Sequence, residues 1–416
     1  MRNPPYLQPA ADAGALSTSP IPAATHSRDG GNVGAATAAT GIYRESLIAA
    51  VTAPTEAERR VVSVGKEHMP ALDGVRGLAA LAVVVSHLPG KSAAWDRVNF
   101  GACGVLLFFA LSGFLMAYLH LHQDFNAQTV RRFCVARVAR IVPLYYLVVV
   151  LSFLVSYFVH QGFHYQMDAA QLVRHLAFVG SVGVFWSVGP EFQFYGFFVL
   201  LWGLTLLRGT PRSLALAALG LFVLASYVTS PALPGVLFVT KLHIFLAGVA
   251  VSMLRWRLLQ RQALLRPASI GGLQLLACLG VVLLLIPYQH MLLPLFPAGE
   301  VAEHEHWYYS DLARTLMAAL AVLAFSFRTR ASDALLANAA VRELGRTSFS
   351  LYLLHMPVLD AMQALGLFGR INPWVAGIGC VLASVALAAL VNRAIETPAR
   401  RWVTRRLGAS HPVPAG

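Results

Sequence analysis

The chain carries a series of apolar runs, each close to spanning length, separated by short loops that hold most of its charge. A helix rises about 1.5 Å per residue, so about twenty apolar residues cross the ~30 Å hydrocarbon core of a bilayer. Lipid offers no partner to an open sheet edge or a bare loop, which leaves helices as the spanning structure. Composition agrees: 57% of the 416 residues are hydrophobic and only 12% are charged, against about 25% in a soluble domain. The fold class expected is an all-α polytopic membrane protein.

Ten runs read as spans, at about 71–89, 101–121, 142–159, 191–207, 213–229, 235–254, 270–288, 311–327, 346–367 and 373–393. A further segment, 172–187, is moderately apolar and broken by glycines. Loop charge decides where it belongs. With 172–187 held on the outer side, the inner loops contain 22 Lys and Arg and the outer loops 4. Letting it cross would flip every later loop and erase that bias, which normally marks the cytoplasmic side. The expectation is a bundle of about ten transmembrane helices, with a re-entrant or interfacial segment after the third and both termini cytoplasmic.

The same asymmetry accounts for a formal net charge of +13. No nucleic-acid motif or basic-aromatic platform appears, so membrane lipid is an expected partner and nucleic acid is not. Cys103, Cys134, Cys278 and Cys380 are scattered, which argues against a disulfide framework or a structural zinc site. Residues 1–69 are rich in Ala, Pro, Ser, Thr and Gly and read as a disordered cytoplasmic extension. They lack the apolar core of a signal peptide after Met1 and Arg2. Residues 70–403 form the membrane domain, and 404–416 a short cytoplasmic tail.

Several residues are out of place in lipid. In LDGVRGLAALAVVVSHL (72–88), Arg76 and His87 are eleven positions apart. That is almost three turns, so they share a stripe roughly 16 Å long. Asp73 is spaced to pair with Arg76. Ionisable groups inside a span usually face a protein interior and mark function; the plain alternative is a snorkelling arginine and a bonded core histidine. Arg137 and Arg140 share a helix face in RRFCVARVAR, with Arg131 and Arg132 about two turns earlier. Loop charge alone explains such a group; a phosphate clamp is the functional reading, since arginine binds phosphate bidentately. Glu191 follows Pro190, and a proline at the first helical position with an acid in the first turn also fits simple capping. Ser348, Tyr352 and His355 fall on one helix face, and Lys241 and His243 lie in the sixth span. The loop around Glu303, His304, Glu305 and His306 reads as solvated, with Trp307, Tyr308 and Tyr309 as an interfacial belt or sugar-stacking surface. No metal site is expected.

Seven stretches, in order, resemble the acyltransferase 3 family of polytopic membrane O-acyltransferases. They are 72–88, GVLLFFALSGFLMAYL (104–119), RRFCVARVARIVPLYYL (131–147), WSVGPEFQFY (186–195), FLAGVAVS (245–252), LGRTSFSLYLLHMPV (344–358) and ETPARRW (396–402). The family's arginine–ten residues–histidine signature falls on Arg76 and His87, and its RxxR signature on Arg137 and Arg140. The resemblance implies that His87 carries catalysis, as general base or as acyl carrier, with Arg76 and Glu191 in the catalytic group. Only a neutral imidazole can accept a proton, and a carboxylate neighbour would orient it. It implies that Arg137, Arg140 and Arg132 hold acyl-CoA, a co-substrate rather than a resident cofactor. Asp73, Ser112, Tyr195, Tyr352 and His355 would line the cavity. The chain departs from the family before Glu191, where Val188, Gly189 and Pro190 intervene after Ser187.

The implied reaction moves an acyl group, most simply acetyl from acetyl-CoA, onto a carbohydrate such as an exopolysaccharide, surface glycan or glycolipid. The implied location is a bacterial inner membrane. A secondary-metabolite hydroxyl is the other acceptor within the family, and any relay through a hydrolase-like domain would need a separate partner in glycan assembly. The rival from another class is a transporter or flippase. Many transporters repeat internally, and no internal repeat is found here.

Overall fold

The computed structural model describes residues 68–89, 98–159, 163–261, 265–286 and 308–408. The expected N-terminal extension and the Glu303–His306 loop lie outside these residues. Among the described residues every regular element is helical.

Helix α1 (Pro70–Ser86) starts with proline at its first position, where the missing N–H costs no bond. Seven of its eleven Leu, Ala and Val residues are buried, because it packs between α2 (Phe100–His120) and α11 (Ala339–Ala364). The centre of the bundle is therefore the helix that carries Asp73 and Arg76. Helix α3 (Ala127–Val159) follows, then α4 (Ala169–Leu176), a 3-10 turn (Gly183–Ser187) and α5 (Val188–Gly203). Pro190 is thus the third residue of its helix rather than the first, still within the turn whose N–H groups have no helical acceptor. The chain continues through α6 (Gly209–Thr229), α7 (Leu242–Gln260), α8 (Pro267–Leu285), α9 (Leu312–Phe325) and α10 (Arg330–Leu336). After α11 come α12 (Pro373–Val391), a π turn (Asn392–Glu396) and α13 (Thr397–Gly408).

Seven described helical stretches are long and apolar enough to cross a membrane, and the sharply bent α9–α10 pair is an eighth if counted as one span. By this measure α1 is short, at 17 residues, and α11 is too polar. Both lie where spans were expected, and both are buried. The outer helices α6, α8 and α12 instead expose leucines and isoleucines, among them Leu221, Leu275 and Ile378. Such faces suit hydrocarbon, which cannot satisfy polar groups.

Helices α2 and α7 approach so closely that only glycine fits at the crossing. A Cβ on Gly248 would lie 2.1 Å from the Ala110 carbonyl oxygen, and one on Gly113 1.9 Å from that of Phe245. Small residues serve membrane interfaces this way. Gly248→Val should force the helices apart and cost about 3 kcal/mol or more. Thermal unfolding of the detergent-solubilised chain checks this. Gly220→Val, at a position with nothing within 4 Å, should leave the midpoint unchanged.

Helix α4 has eight residues, about 12 Å, too short to cross. Asp168 caps it, accepting from the Gln171 N–H at 2.6 Å. The chain then turns at Phe178, whose φ of 58° is left-handed, and at Gly183. Pro357 inside α11 leaves the Leu353 carbonyl without its helical donor, and the Tyr165 hydroxyl fills it at 3.2 Å. His175, outside the spanning helices, is fully buried. Its Nε2 accepts from the Val182 N–H at 3.2 Å, so Nδ1 carries the proton and donates to the Tyr145 oxygen at 2.9 Å.

Burial holds the His175 pKa down to about 4. The folded value lies below the unfolded one, ~6.5, so the native state binds fewer protons. Its contribution is complete above pH ~6.5 and drains away as pH falls toward 4, by about 1–3 kcal/mol. Hydrogen exchange of residues 163–187 should therefore quicken between pH 7 and pH 4.5 in wild type, beyond the intrinsic pH effect. His175→Gln should flatten that excess.

Candidate functional site

Arg76 is fixed first. Asp73 Oδ1 accepts from its Nη2 at 2.8 Å, the pairing their spacing predicts. Its Nε donates to the Gly345 carbonyl at 3.2 Å. Gly345 lies so close to α1 that a Cβ there would meet the Asp73 carbonyl oxygen at 2.1 Å. The arginine is thus held by two helices at once.

Arg76 opens onto an inner cavity of about 60 Å³, lined also by Ser112, Arg137, Arg140, Glu191 and Tyr195. Glu191 Oε1 accepts from the Tyr195 hydroxyl at 2.6 Å and from the Ser112 hydroxyl at 3.2 Å. The Arg137 guanidinium lies 5.7 Å from the ring centres of both Phe133 and Tyr195. Its Nε is buried with no partner. The Arg140 guanidinium makes no hydrogen bond or salt bridge to any described residue. With Arg76 held by Asp73, the guanidiniums of Arg137 and Arg140 meet one carboxylate that is already engaged by two hydroxyls. A buried charge needs a partner, and this cavity is short of negative charge.

A larger cavity of about 560 Å³ lies at the other end of α1, lined by His87, Asn99, His164, Trp186, Tyr309 and Tyr352 among others. His87 does not continue the helix; it caps it, with Pro89 close behind. Its Nδ1 is 2.8 Å from the Val83 carbonyl oxygen. A carbonyl only accepts, so Nδ1 bears the proton and Nε2 keeps the lone pair. The ring packs against His355 at 5.1 Å between centroids. His355 repeats the pattern: Nδ1 faces the Leu351 carbonyl at 3.2 Å, and its buried Nε2 has no partner.

Tyr352 and Val105 line both cavities and form their common wall. The Tyr352 hydroxyl donates to the Val184 carbonyl at 2.9 Å and lies 2.7 Å from Ser187 Oγ. The structure thus groups Glu191 with the arginines and His87 with His355, on opposite sides of Tyr352. A backbone carbonyl fills the orienting place foreseen for a carboxylate. Arg132 is exposed and lines neither cavity. Lys241 is buried 5.0 Å from the Tyr309 ring centre, and His243 Nε2 donates to the Tyr309 carbonyl at 2.8 Å. Asn99 and His164 were missed as lining residues, since nothing in their local sequence marks them. Among the described residues no three His, Cys, Asp or Glu could hold a metal ion.

A sequence model of the family, described as an acyltransferase domain, matches residues 69–393. The chain belongs to the acyltransferase 3 family. Two curated relatives extend this. Peptidoglycan O-acetyltransferase OatA of Listeria monocytogenes is 25% identical over 378 positions, covering 82% of this chain and 57% of the relative. O-acetyltransferase OatA of Staphylococcus aureus is 24% identical over 368 positions, covering 80% and 57%. The chain thus spans little more than half the length of either relative. No solved structure matches it. The acyltransferase 3 match takes in both cavities and stops before the π turn has ended.

Proposed function

We propose that this protein is a membrane O-acyltransferase that moves an acetyl group from acetyl-CoA to a hydroxyl of a carbohydrate, such as an exopolysaccharide or surface glycan. The observation that carries the reading is the pair of cavities sharing Tyr352, one short of negative charge and one presenting an imidazole lone pair. Phosphates of the donor neutralise Arg137 and Arg140 through charge-assisted bonds. The inner cavity holds only a few waters' volume, so the phosphates meet the arginines at its mouth, the thioester end of the arm enters, and the adenosine stays outside. His87 Nε2 takes the proton of the acceptor hydroxyl, whose oxygen attacks the thioester carbonyl. The C–S bond breaks and coenzyme A leaves as thiolate. The same lone pair serves if the acyl group first rests on His87.

Loop charge supports placing the arginine cavity toward the cytoplasm and the His87 cavity toward the outside of a bacterial inner membrane. Both termini are then cytoplasmic. Counting α1, α11 and the α9–α10 pair brings the bundle to about ten spans, with residues 163–187 re-entrant on the outer side. Likeness to the peptidoglycan O-acetyltransferase of Listeria monocytogenes supports a glycan acceptor, and the Trp186 and Tyr309 rings offer the apolar faces a sugar stacks on.

The test is transfer of radiolabel from acetyl-CoA into native host glycans by membranes containing the full chain. Base-labile label on glycan supports the reading. Folded protein that moves no label from any short acyl-CoA overturns it and puts transport first.

A further inference from the structure

A third recess, of about 150 Å³, opens at the arginine end of the bundle. Arg76, Arg140, Arg346 of α11 and Arg400 of α13 line it, together with Asn392 and Glu396. The recess is continuous with the inner cavity, since Arg76, Arg140, Ser348 and Phe349 line both.

Its shape comes from a helix defect. Residues Asn392–Glu396 form a π turn between α12 and α13. Pro398 follows two residues after its end. In an unbroken α-helix its ring would press on the carbonyl four residues back, which would also lose its donor. Widening the preceding turn relieves that clash, and such turns gather at functional sites. Here the wide turn buries Asn392 and Glu396. Asn392 Nδ2 donates to the Arg346 carbonyl at 3.4 Å, tying α12 to α11. The Ser350 hydroxyl donates to Glu396.

Two of the four arginines in the recess are not consumed by the protein. The guanidiniums of Arg140 and Arg400 form no hydrogen bond or salt bridge with any described residue. Arg346 pairs with Glu343, but that pair is largely exposed. Arg76 is matched by Asp73 and Arg346 by Glu343, so Arg140 and Arg400 face the single carboxylate of Glu396 and leave one positive charge over. Loop charge bias explains the number of arginines at this end. It does not explain their convergence on a recess shaped by a distorted helix and leading into the donor cavity.

We infer that Arg346 and Arg400 seat the ribose 3′-phosphate of the coenzyme A donor, with the adenine extending toward solvent and the pantetheine arm entering past Arg140. The inference rests on the acyl-CoA reading and adds to it the group that selects coenzyme A over its dephosphorylated form.

The experiment measures binding of coenzyme A and of 3′-dephospho-coenzyme A to the purified full chain in detergent, by calorimetry. Wild type should prefer coenzyme A by about 10- to 100-fold, the worth of one or two charge-assisted bonds. Arg346→Gln and Arg400→Gln should each shrink that preference to about threefold or less while changing dephospho-coenzyme A affinity by under about twofold. Arg400→Lys should retain part of the preference. Equal binding of the two forms by wild type overturns the inference, as does equal weakening of both by the variants with the thermal midpoint unchanged. Loss of co-purifying phospholipid in the variants, with the nucleotide preference intact, also overturns it and makes the recess a lipid headgroup seat. If wild type binds neither form, the acyl-CoA reading itself fails.

Discussion

His87→Ala should abolish acetyl transfer while leaving donor binding intact. General-base catalysis is worth about 10²- to 10⁴-fold, and loss of an acyl carrier would leave nothing measurable. The two effects separate because His87 lines the larger cavity while the arginines line the smaller one. The side chain is half-buried at a helix end, so truncation spares the core. Labelled transfer into glycan should fall to background, and coenzyme A affinity should stay within about twofold of wild type. A variant that keeps a tenth of the wild-type rate would remove His87 from the chemistry. Labelled acetyl-CoA without acceptor then divides the two roles. A carrier leaves acid-labile label on wild-type protein, and a base leaves none.

Much of this was legible in the sequence, for a simple reason. A twenty-residue apolar run has one stable form in lipid, so the runs became helices where expected. Arg76 stood out because charge in a span must be held, and the i, i+3 spacing named Asp73 as its holder. What could not be read depends on contacts between distant segments. Glu191 and His87 begin at similar depths, yet the Tyr352 side chain divides them, and its position is set by Ser187 and Val184 more than 160 residues away. The orienting group of His87 is the Val83 carbonyl, which every residue possesses and no sequence displays. The π turn had a trace in Thr397-Pro398, but without the fold a proline there reads only as the end of a helix. Arg400, in the same stretch, could then be counted only as loop charge.

Arg140→Gln should weaken donor binding by about 10- to 100-fold, and the double variant with Arg137→Gln by more than either alone. The fold should not suffer from the first. The Arg140 guanidinium makes no hydrogen bond or salt bridge to a described residue, so its removal orphans no protein group. The thermal midpoint of Arg140→Gln should match wild type, while the donor KM rises and its salt dependence flattens. Arg137 differs. Its guanidinium rests on Phe133 and Tyr195 with Nε unpartnered, so Arg137→Lys keeps the charge but loses the planar fork and should bind donor more weakly than wild type. Glu191→Gln supplies the opposing sign. The amide oxygen still accepts from Tyr195 and Ser112, yet the carboxylate that lines their shared cavity is gone. Coenzyme A should then bind at least as tightly as in wild type. If transfer falls even so, Glu191 acts on the reacting atoms or their path rather than on donor affinity. If affinity collapses instead, the carboxylate is what holds the arginines in place, and an anion clamp that depends on its own counter-charge must be rebuilt around Glu191.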